Sequence, residues 1–457
     1  MAQESIPNQD NKQTGDSLSA AEFNSLNNAI NNNAGDADTR FVDVETTQVA
    51  NGDRITLIEG APSIPSYQEH NLPTTNIAIG SLAYNSTHRE LVYFKNNQWF
   101  RVKDNGGIIL VSGFAFVVDT TLLSTDSDHT GTSTNTQFTM PFVDTGVYNC
   151  TIDWDAANPG TDTQNVTTPG RITHDYAAPG QYTISITGVI EGFSFDDYDT
   201  TYANDSIESA NKIIEIKNFG SLTFVGGNSN NNHSRAGDAF MNCYNMDITA
   251  PDVPDTSGTT DFLHMFRKCI SMTNVPLLDF TTGNRWWGMF YNCLSITSLP
   301  DLNFNNGEVR NPSAFYEVFR NCTSLTTLDN VTFADMGSSV NHLFRGCSSL
   351  TSIPTSCDFT NVSDFSYFMR NCQLVTEFPQ YAQITNGTAF VEAWLDCALT
   401  ATAIENILGA LVTNGRSNLN TSFAGGTNAG KSTWSATANT YYDTLVLSRG
   451  WTIDHNP

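Results

Sequence analysis

The chain has 457 residues, of which 15% are charged and 39% hydrophobic, and its 47 acidic against 21 basic residues give a net charge of -26. That length is too great for one ordinary core, so several domains are expected. A field of that sign repels nucleic acid and anionic membrane, so neither is an expected partner.

The N-terminus, Met1-Ala2-Gln3-Glu4-Ser5, has neither a basic n-region nor an apolar h-region, so no secretory signal is read. No run approaches the roughly 18 apolar residues of a membrane span. The longest, 108–118, is interrupted by Ser112 and Gly113 and reads as one strand. The expectation is a chain that stays in the cytoplasm that makes it, or leaves by lysis.

Residues 1–60 read as a polar tail and an anchoring or oligomerising helix. Ser19 and Glu22 fit a capping box, with Leu18 and Phe23 placed for a hydrophobic staple. Phe23, Leu26 and Ile30 form a narrow apolar stripe, which buries either in a self-associating bundle or against the chain's own domain. Residues 61–103 read as a β-hairpin meander, with strands at 82–84, 91–94 and 99–102. Polar turns at 85–88 and Asn96-Asn97 separate them. Residues 104–200 read as a β-sandwich with strands at 108–118, 137–140, 148–154, 172–175 and 181–187. Asp153 and Asp155 flank Trp154 and by strand alternation share a face, more simply a solvated face than a Ca²⁺ site. His174 reads as a structural histidine between strands.

Residues 201–398 carry a repeat. A large apolar residue stands three positions before a cysteine seven times, in the pairs Phe240/Cys243, Phe266/Cys269, Phe290/Cys293, Phe319/Cys322, Phe344/Cys347, Met369/Cys372 and Trp394/Cys397. Successive cysteines lie 26, 24, 29, 25, 25 and 25 residues apart, a spacing that predicts a solenoid. Apolar residues follow each pair at steps of three, as in Phe344, Cys347, Leu350 and Ile353. Pro276, Pro300, Pro354 and Pro379 stop any regular element soon after. Further apolar rows run through Phe280, Phe304, Phe333, Phe359 and Ile384, and through Phe262, Trp286, Phe315, Val340, Phe365 and Phe390. The cysteines read as a rail of small buried thiols, not as a disulfide or metal framework, since no Cys-x-x-Cys pair exists and histidine is scarce.

Between the rows, Trp287, Tyr291, Arg310 and Tyr316 are the candidate ligand contacts, because aromatic and Arg side chains on a rigid face suit sugar or protein binding. Arg267, Arg320, Arg345 and Arg370 share one repeat position with Tyr291 and read as a structural row. Residues 399–457 read as a C-terminal cap. It comprises a helix with Thr402 and Glu405 as capping box and Ile404, Ile407, Leu408 and Leu411 inside, and a second helix over 434–447.

Gly425-Gly426-Thr427-Asn428-Ala429-Gly430-Lys431-Ser432 satisfies the phosphate-loop pattern Gly-x4-Gly-Lys-Ser. Its context argues for a turn, since only 25 residues follow and a repeat array precedes. No nucleophile triad, carboxylate pair or metal-ligand spacing emerges, so no enzyme activity, cofactor or metal is expected.

Three resemblances bear on function. The motif Phe344-Arg345-Gly346-Cys347-Ser348-Ser349-Leu350-Thr351-Ser352-Ile353-Pro354 resembles the BspA-type leucine-rich repeats of bacterial and phage surface proteins. The pattern Asp153-Trp154-Asp155, His174, Tyr176, Pro179-Gly180, Tyr182 and Ile184 resembles the polycystic-kidney-disease (PKD) domain, with Ala157-Asn158-Pro159 in place of that family's Gly-Asp-Gly turn. Gly80, Leu82, Ala83, Tyr84, Leu91, Tyr93, Trp99 and Val102, with the segment 18–24, resemble phage fibre proteins. Together they imply a virion fibre or spike, homotrimeric, joined to other virion proteins through its N-terminal region and displaying its repeats to a host surface glycan or protein. The alternative is a bacterial surface adhesin of the same repeat family.

Overall fold

In a computed structural model, backbone strands are described between residues 44 and 110, and residues 113–123, 133–195, 209–224, 237–256, 259–304, 313–333, 335–378 and 384–457 are described beyond them. The tail and the helix expected over 19–30 lie outside the described residues. The chain is mainly β with few short helices, and it divides into two compact units that part near Phe114.

In the first unit, β1 (Val44–Val49) and β2 (Gly52–Leu57) form an antiparallel pair. A five-stranded sheet follows, made of β3 (Ser66–Tyr67), β4 (Leu82–Asn85), β5 (Glu90–Lys95), β6 (Gln98–Val102) and β7 (Ile108–Leu110), paired in that order. The run 108–118 is therefore not one strand. Its first part closes this sheet, and its second part, β8 (Phe114–Asp119), belongs to another. The division falls where Ser112 and Gly113 interrupt the apolar sequence.

The second unit opens with β8, β9 (Gln137–Met140), β10 (Phe142–Asp153), β11 (Thr163–Val166), β12 (Ile172–Asp175) and β13 (Gln181–Phe193). The strands β14 (Ile213–Asn218), β15 (Leu222–Thr223) and β16 (Asp247–Ile248) complete its main sheet, in the order β11-β10-β13-β8-β14-β16 with β15 beside β13. β9 and β12 pair separately, and Phe138 of β9 meets Phe116 of β8 with ring centroids 5.7 Å apart. Two strands run longer than the sequence suggests, β10 starting at Phe142 and β13 ending at Phe193. The sheet does not stop at residue 200, because β14 and β16 carry it into the repeat region.

β10 ends at Asp153, so Asp153 and Asp155 do not alternate along a strand. Asp153 instead accepts from the amides of Asp155 and Gly160, and Asp155 accepts from Asn158 Nδ2, which braces the 154–162 turn. His174 stacks on Trp154 at 4.5 Å and 8°, with Nε2 3.0 Å from an Asp162 carboxylate oxygen.

From 237 onward, successive repeats are joined by a backbone ladder. In the repeat led by Phe290, the amides of Trp286, Gly288, Phe290 and Asn292 donate to the carbonyls of Ala314, Tyr316, Val318 and Arg320 in the next. Val340, His342, Phe344 and Gly346 donate in the same register to Asp364, Ser366, Phe368 and Arg370. The 29-residue spacing leaves this register intact, so its extra residues fall outside the laddered segment. The intervening amides bond three residues back within their own repeat, as Cys269 does to Phe266.

This alternation requires left-handed backbone at two places per repeat. Two residues after the leading position stand Asn242, Lys268, Asn292, Asn321, Gly346, Asn371 and Asp396, all at φ between 59° and 77°. Asn, Asp and Gly suit that region. Two residues before it stand His264, Gly288, Glu317, His342, Tyr367 and Glu392, at φ between 51° and 58°.

The leading rings are buried and stack: Phe240 on Phe266, Phe266 on Phe290, Phe290 on Phe319 and Phe319 on Phe344, at 5.6–5.9 Å and within 11° of parallel. Met369 and Trp394 continue the row, also buried. The paired cysteines, Cys243 to Cys397, are buried and unpaired as disulfides. Each thiol from Cys269 onward donates to the carbonyl of the preceding repeat's leading residue, at 3.0–3.1 Å. Burial pushes these thiols up, Cys347 and Cys397 to about 12.

Short parallel strands β17 (Leu302–Asn303) and β18 (Val331–Thr332) occur between repeats. The chain closes with α1 (Ala401–Asn414), β19 (Asn420–Phe423), α2 (Ala436–Asp443), a π-helical turn at Thr444–Ser448, and β20 (Thr452–His455) parallel to β19. The N-cap of α1 is Thr400, whose hydroxyl accepts from the Ala403 amide, and not Thr402. Glu405 accepts from Ser435 instead of closing a capping box. Ile404, Ile407, Leu408 and Leu411 are buried. The second helix starts after Trp434, capped by Ser435.

Phe319→Ala should destabilise the protein by about 3–5 kcal/mol in urea unfolding, because a ring is lost from the middle of the stack. Cys347→Ala removes the thiol donor with one heavy atom, so it should cost only about 1–2 kcal/mol. Equal costs would contradict a ring-dominated core.

Candidate functional site

The surface of the repeats is built by the same ladder. Side chains two residues before the leading position and side chains one residue after it come out on one face, three residues apart. They meet there in pairs. Arg267 Nη1 lies 2.9 Å from His264 Nε2, Arg345 Nη1 lies 3.1 Å from His342 Nδ1, and Arg320 pairs with Glu317. Arg370 pairs across to Glu392 of the next repeat, and His264 Nδ1 reaches Asp238 at 3.2 Å.

Aromatic rings fill the spaces between. Tyr291 lies between Arg267 and Arg320, with guanidinium carbons 4.6 and 5.1 Å from its centroid. Tyr367 lies likewise between Arg345 and Arg370, at 5.4 and 5.9 Å. Trp287 contacts His264 and Tyr316 edge-on at 6.0 and 5.0 Å. Tyr316 continues to His342 at 5.9 Å, and His342 stacks on Tyr367 at 4.5 Å and 8°.

Three candidate contacts, Trp287, Tyr291 and Tyr316, are thus half-buried members of one strip, while Arg310 lies outside the described residues. The arginine row belongs to the same strip, so the row and the contacts are not separate features. Sequence reasoning passed over His264, Glu317, His342 and Glu392. Their common place, two residues before each leading residue, was the available signal.

The strip has an uneven charge pattern. Arg320 and Arg370 each have a carboxylate, and Arg345 between them has a neutral histidine. Burial, followed by the charges of Arg320 and Arg345, holds His342 down from 6.5 to about 4. Burial, followed by repulsion from Arg320 and Arg370, lowers Arg345 as well.

The phosphate-loop motif has a different fate. A strand, β19, does precede it, in a parallel pair with β20. Alternate amides of it are occupied, however. Gly425 donates to Asn456 Oδ1, Thr427 to the Cys397 carbonyl, Ala429 to Leu399 and Lys431 to Asn456, at 2.8–3.0 Å. Lys431 Nζ lies 3.6 Å from the Tyr442 ring centroid. Asn428 is buried and bonds the Trp394 carbonyl, and the Asp396 amide reaches Ala424. The loop thus joins the last repeat to the closing segment.

Among the described residues there is no group of three or more metal-ligating side chains, and no helix is long and apolar enough to cross a membrane. No family model, curated protein or solved structure matches the chain.

His342 stays neutral in the folded chain and gains a proton below about pH 6.5 in the unfolded one. The unfolded state therefore binds the extra proton between pH 6.5 and 4, and stability falls as pH falls through that window. His342→Asn, which tolerates left-handed backbone and does not titrate, should lose less Tm than the parent between pH 7 and 4.5 by circular dichroism. An identical loss would remove His342 as the cause.

Proposed function

We propose that this chain is a structural protein of a bacteriophage virion, a fibre or spike on tail or head, whose repeats form a leucine-rich-repeat solenoid presenting a binding face. In this reading the N-terminal region attaches to other virion proteins and forms a homotrimer. A PKD-like β-sandwich spaces the repeats from that anchor, and residues 399–457 cap the solenoid. The face meets a host surface glycan or protein.

One observation carries the reading, together with the sequence resemblances. The strip from His264 to Glu392, half-buried except at the buried His264 and Glu317, is rigidly mounted, with alternate amides of successive repeats bonded in one register. Rigid mounting favours recognition, since little side-chain entropy remains to be lost on binding. The reading gives the strip a binding role, and no catalysis is proposed. The same reading makes 425–432 a structural turn, because a nucleotide phosphate needs converging loop amides and protein oxygens already take those of Gly425, Thr427, Ala429 and Lys431.

Mass spectrometry of purified phage particles from the source of this sequence should find the chain in stoichiometric amount, and its absence would defeat the virion assignment. Calorimetry of the full chain with ATP should give no heat of binding. Tight binding that Lys431→Ala abolishes would restore the nucleotide reading.

A further inference from the structure

We infer that the part of the strip formed by Tyr316, His342, Arg345 and Tyr367 binds a carboxylate-bearing sugar, such as a uronic or nonulosonic acid unit of a surface glycan. This rests on the reading of the repeat face as a binding face.

The backbone gives the first argument. Both left-handed rows face the same constraint, yet they meet it differently. The row after the leading residue uses Asn at four of seven positions, with Gly and Asp at two more. The row before it places Glu317, His342 and Tyr367 at φ 57°, 58° and 58°. A non-glycine residue in this region is strained, Asn least of all. The ladder over-determines the conformation, with the His342 amide on Ser366 and the Tyr367 amide on Val391. Backbone needs alone would select Asn or Gly here. The side chains are kept for what they present.

Charge gives the second. Within the described strip, Glu317 is matched by Arg320 and Glu392 by Arg370. Asp364, the remaining nearby carboxylate, accepts from Asn341 Nδ2 and the Ser366 amide. Arg345 has no carboxylate paired with it, but the His342 ring nitrogen and the Tyr367 face beside it. Arg267 is placed likewise beside His264 and Tyr291, but there the histidine is itself held by Asp238. A single planar guanidinium suits a single carboxylate through two parallel hydrogen bonds. The chain's net charge of -26 disfavours a densely sulfated polymer, whose repulsion grows with its charge.

Shape gives the third. His342 and Tyr367 lie parallel, and Tyr316 meets His342 edge-on. The three half-buried rings give a fixed apolar wall beside the cation. A pyranose offers a matching pair of surfaces, a C–H face for the rings and a carboxylate for Arg345.

The test is a glycan array and titration calorimetry with the full chain. The arms are oligogalacturonate and sialyllactose, their carboxyl-reduced counterparts, heparin oligosaccharides, neutral oligosaccharides and an acidic peptide. An acidic sugar should bind, its carboxyl-reduced form should bind at least tenfold more weakly, and Arg345→Ala should lose binding by a similar factor while Arg345→Lys retains part. The reduced ligand tests the claim on the unaltered protein, whatever the variants do to folding. Equal binding of reduced and native forms, or selection of neutral, sulfated or peptide ligands, would overturn the acidic-sugar assignment while leaving the binding face standing. Binding to host cells that Arg345→Ala, Tyr367→Asn and Trp287→Ala all leave unchanged would overturn the face itself.

Discussion

The repeat region depends on one small arrangement at the carbonyl of each leading residue from Phe240 to Met369. That oxygen has two lone pairs and is buried from water, so both want donors. The amide of the cysteine three residues on supplies one, and the thiol of the next repeat's cysteine supplies the other. At Phe319 these are Cys322 N at 3.1 Å and Cys347 Sγ at 3.0 Å. Alanine would fit the space, but it has no donor. Serine has one, but it carries a more strongly solvated hydroxyl into an apolar core. Cysteine is small, apolar and able to donate, which accounts for its recurrence better than any redox role.

The same arrangement sets the geometry outside. Fixing the leading residue and its cysteine leaves the amides between them alternating in direction, half turned inward to their own repeat and half forward to the next. Alternation requires left-handed residues on either side of the leading position. Those residues project the side chains of the strip. The core and the surface are therefore not independent, and a change in the thiol rail would be felt as a displacement of the arginines and rings above it.

The apolar rows were legible in the sequence because burial leaves a periodic trace. Phe262, Trp286 and Phe365 stand at one repeat position and all are buried. Trp287 could be separated from Trp286 on the same ground, and it is half-buried. What left no trace was conformation. Left-handed residues at His264, Glu317 and Tyr367 break the usual preferences of their types, so nothing in composition marked them. The β11 strand was missed because Thr163, Gln164 and Asn165 are exposed and polar, with only Val166 inside. The Thr400 cap was passed over for Thr402 because Glu405 completed a motif by spacing, while the structure uses that glutamate for Ser435. The phosphate-loop pattern has the same limit, since a pattern of residue types does not say which of its amides are already bonded.

Every forward bond in the ladder runs the same way, from the amide of one repeat to the carbonyl of the next. That laddered segment is therefore vectorial, and along it the first repeat offers acceptors and the last offers donors, while amides outside it, such as those of Ser271, Thr326, Thr351 and Thr400, donate back to the preceding repeat. At the far end the closing chain supplies a carbonyl, that of Ala424, to the amide of Asp396. Copies added or lost in the middle leave both ends satisfied. An array with this polarity can change length by whole repeats without redesigning its termini, and each copy would lengthen the displayed strip in a fixed direction.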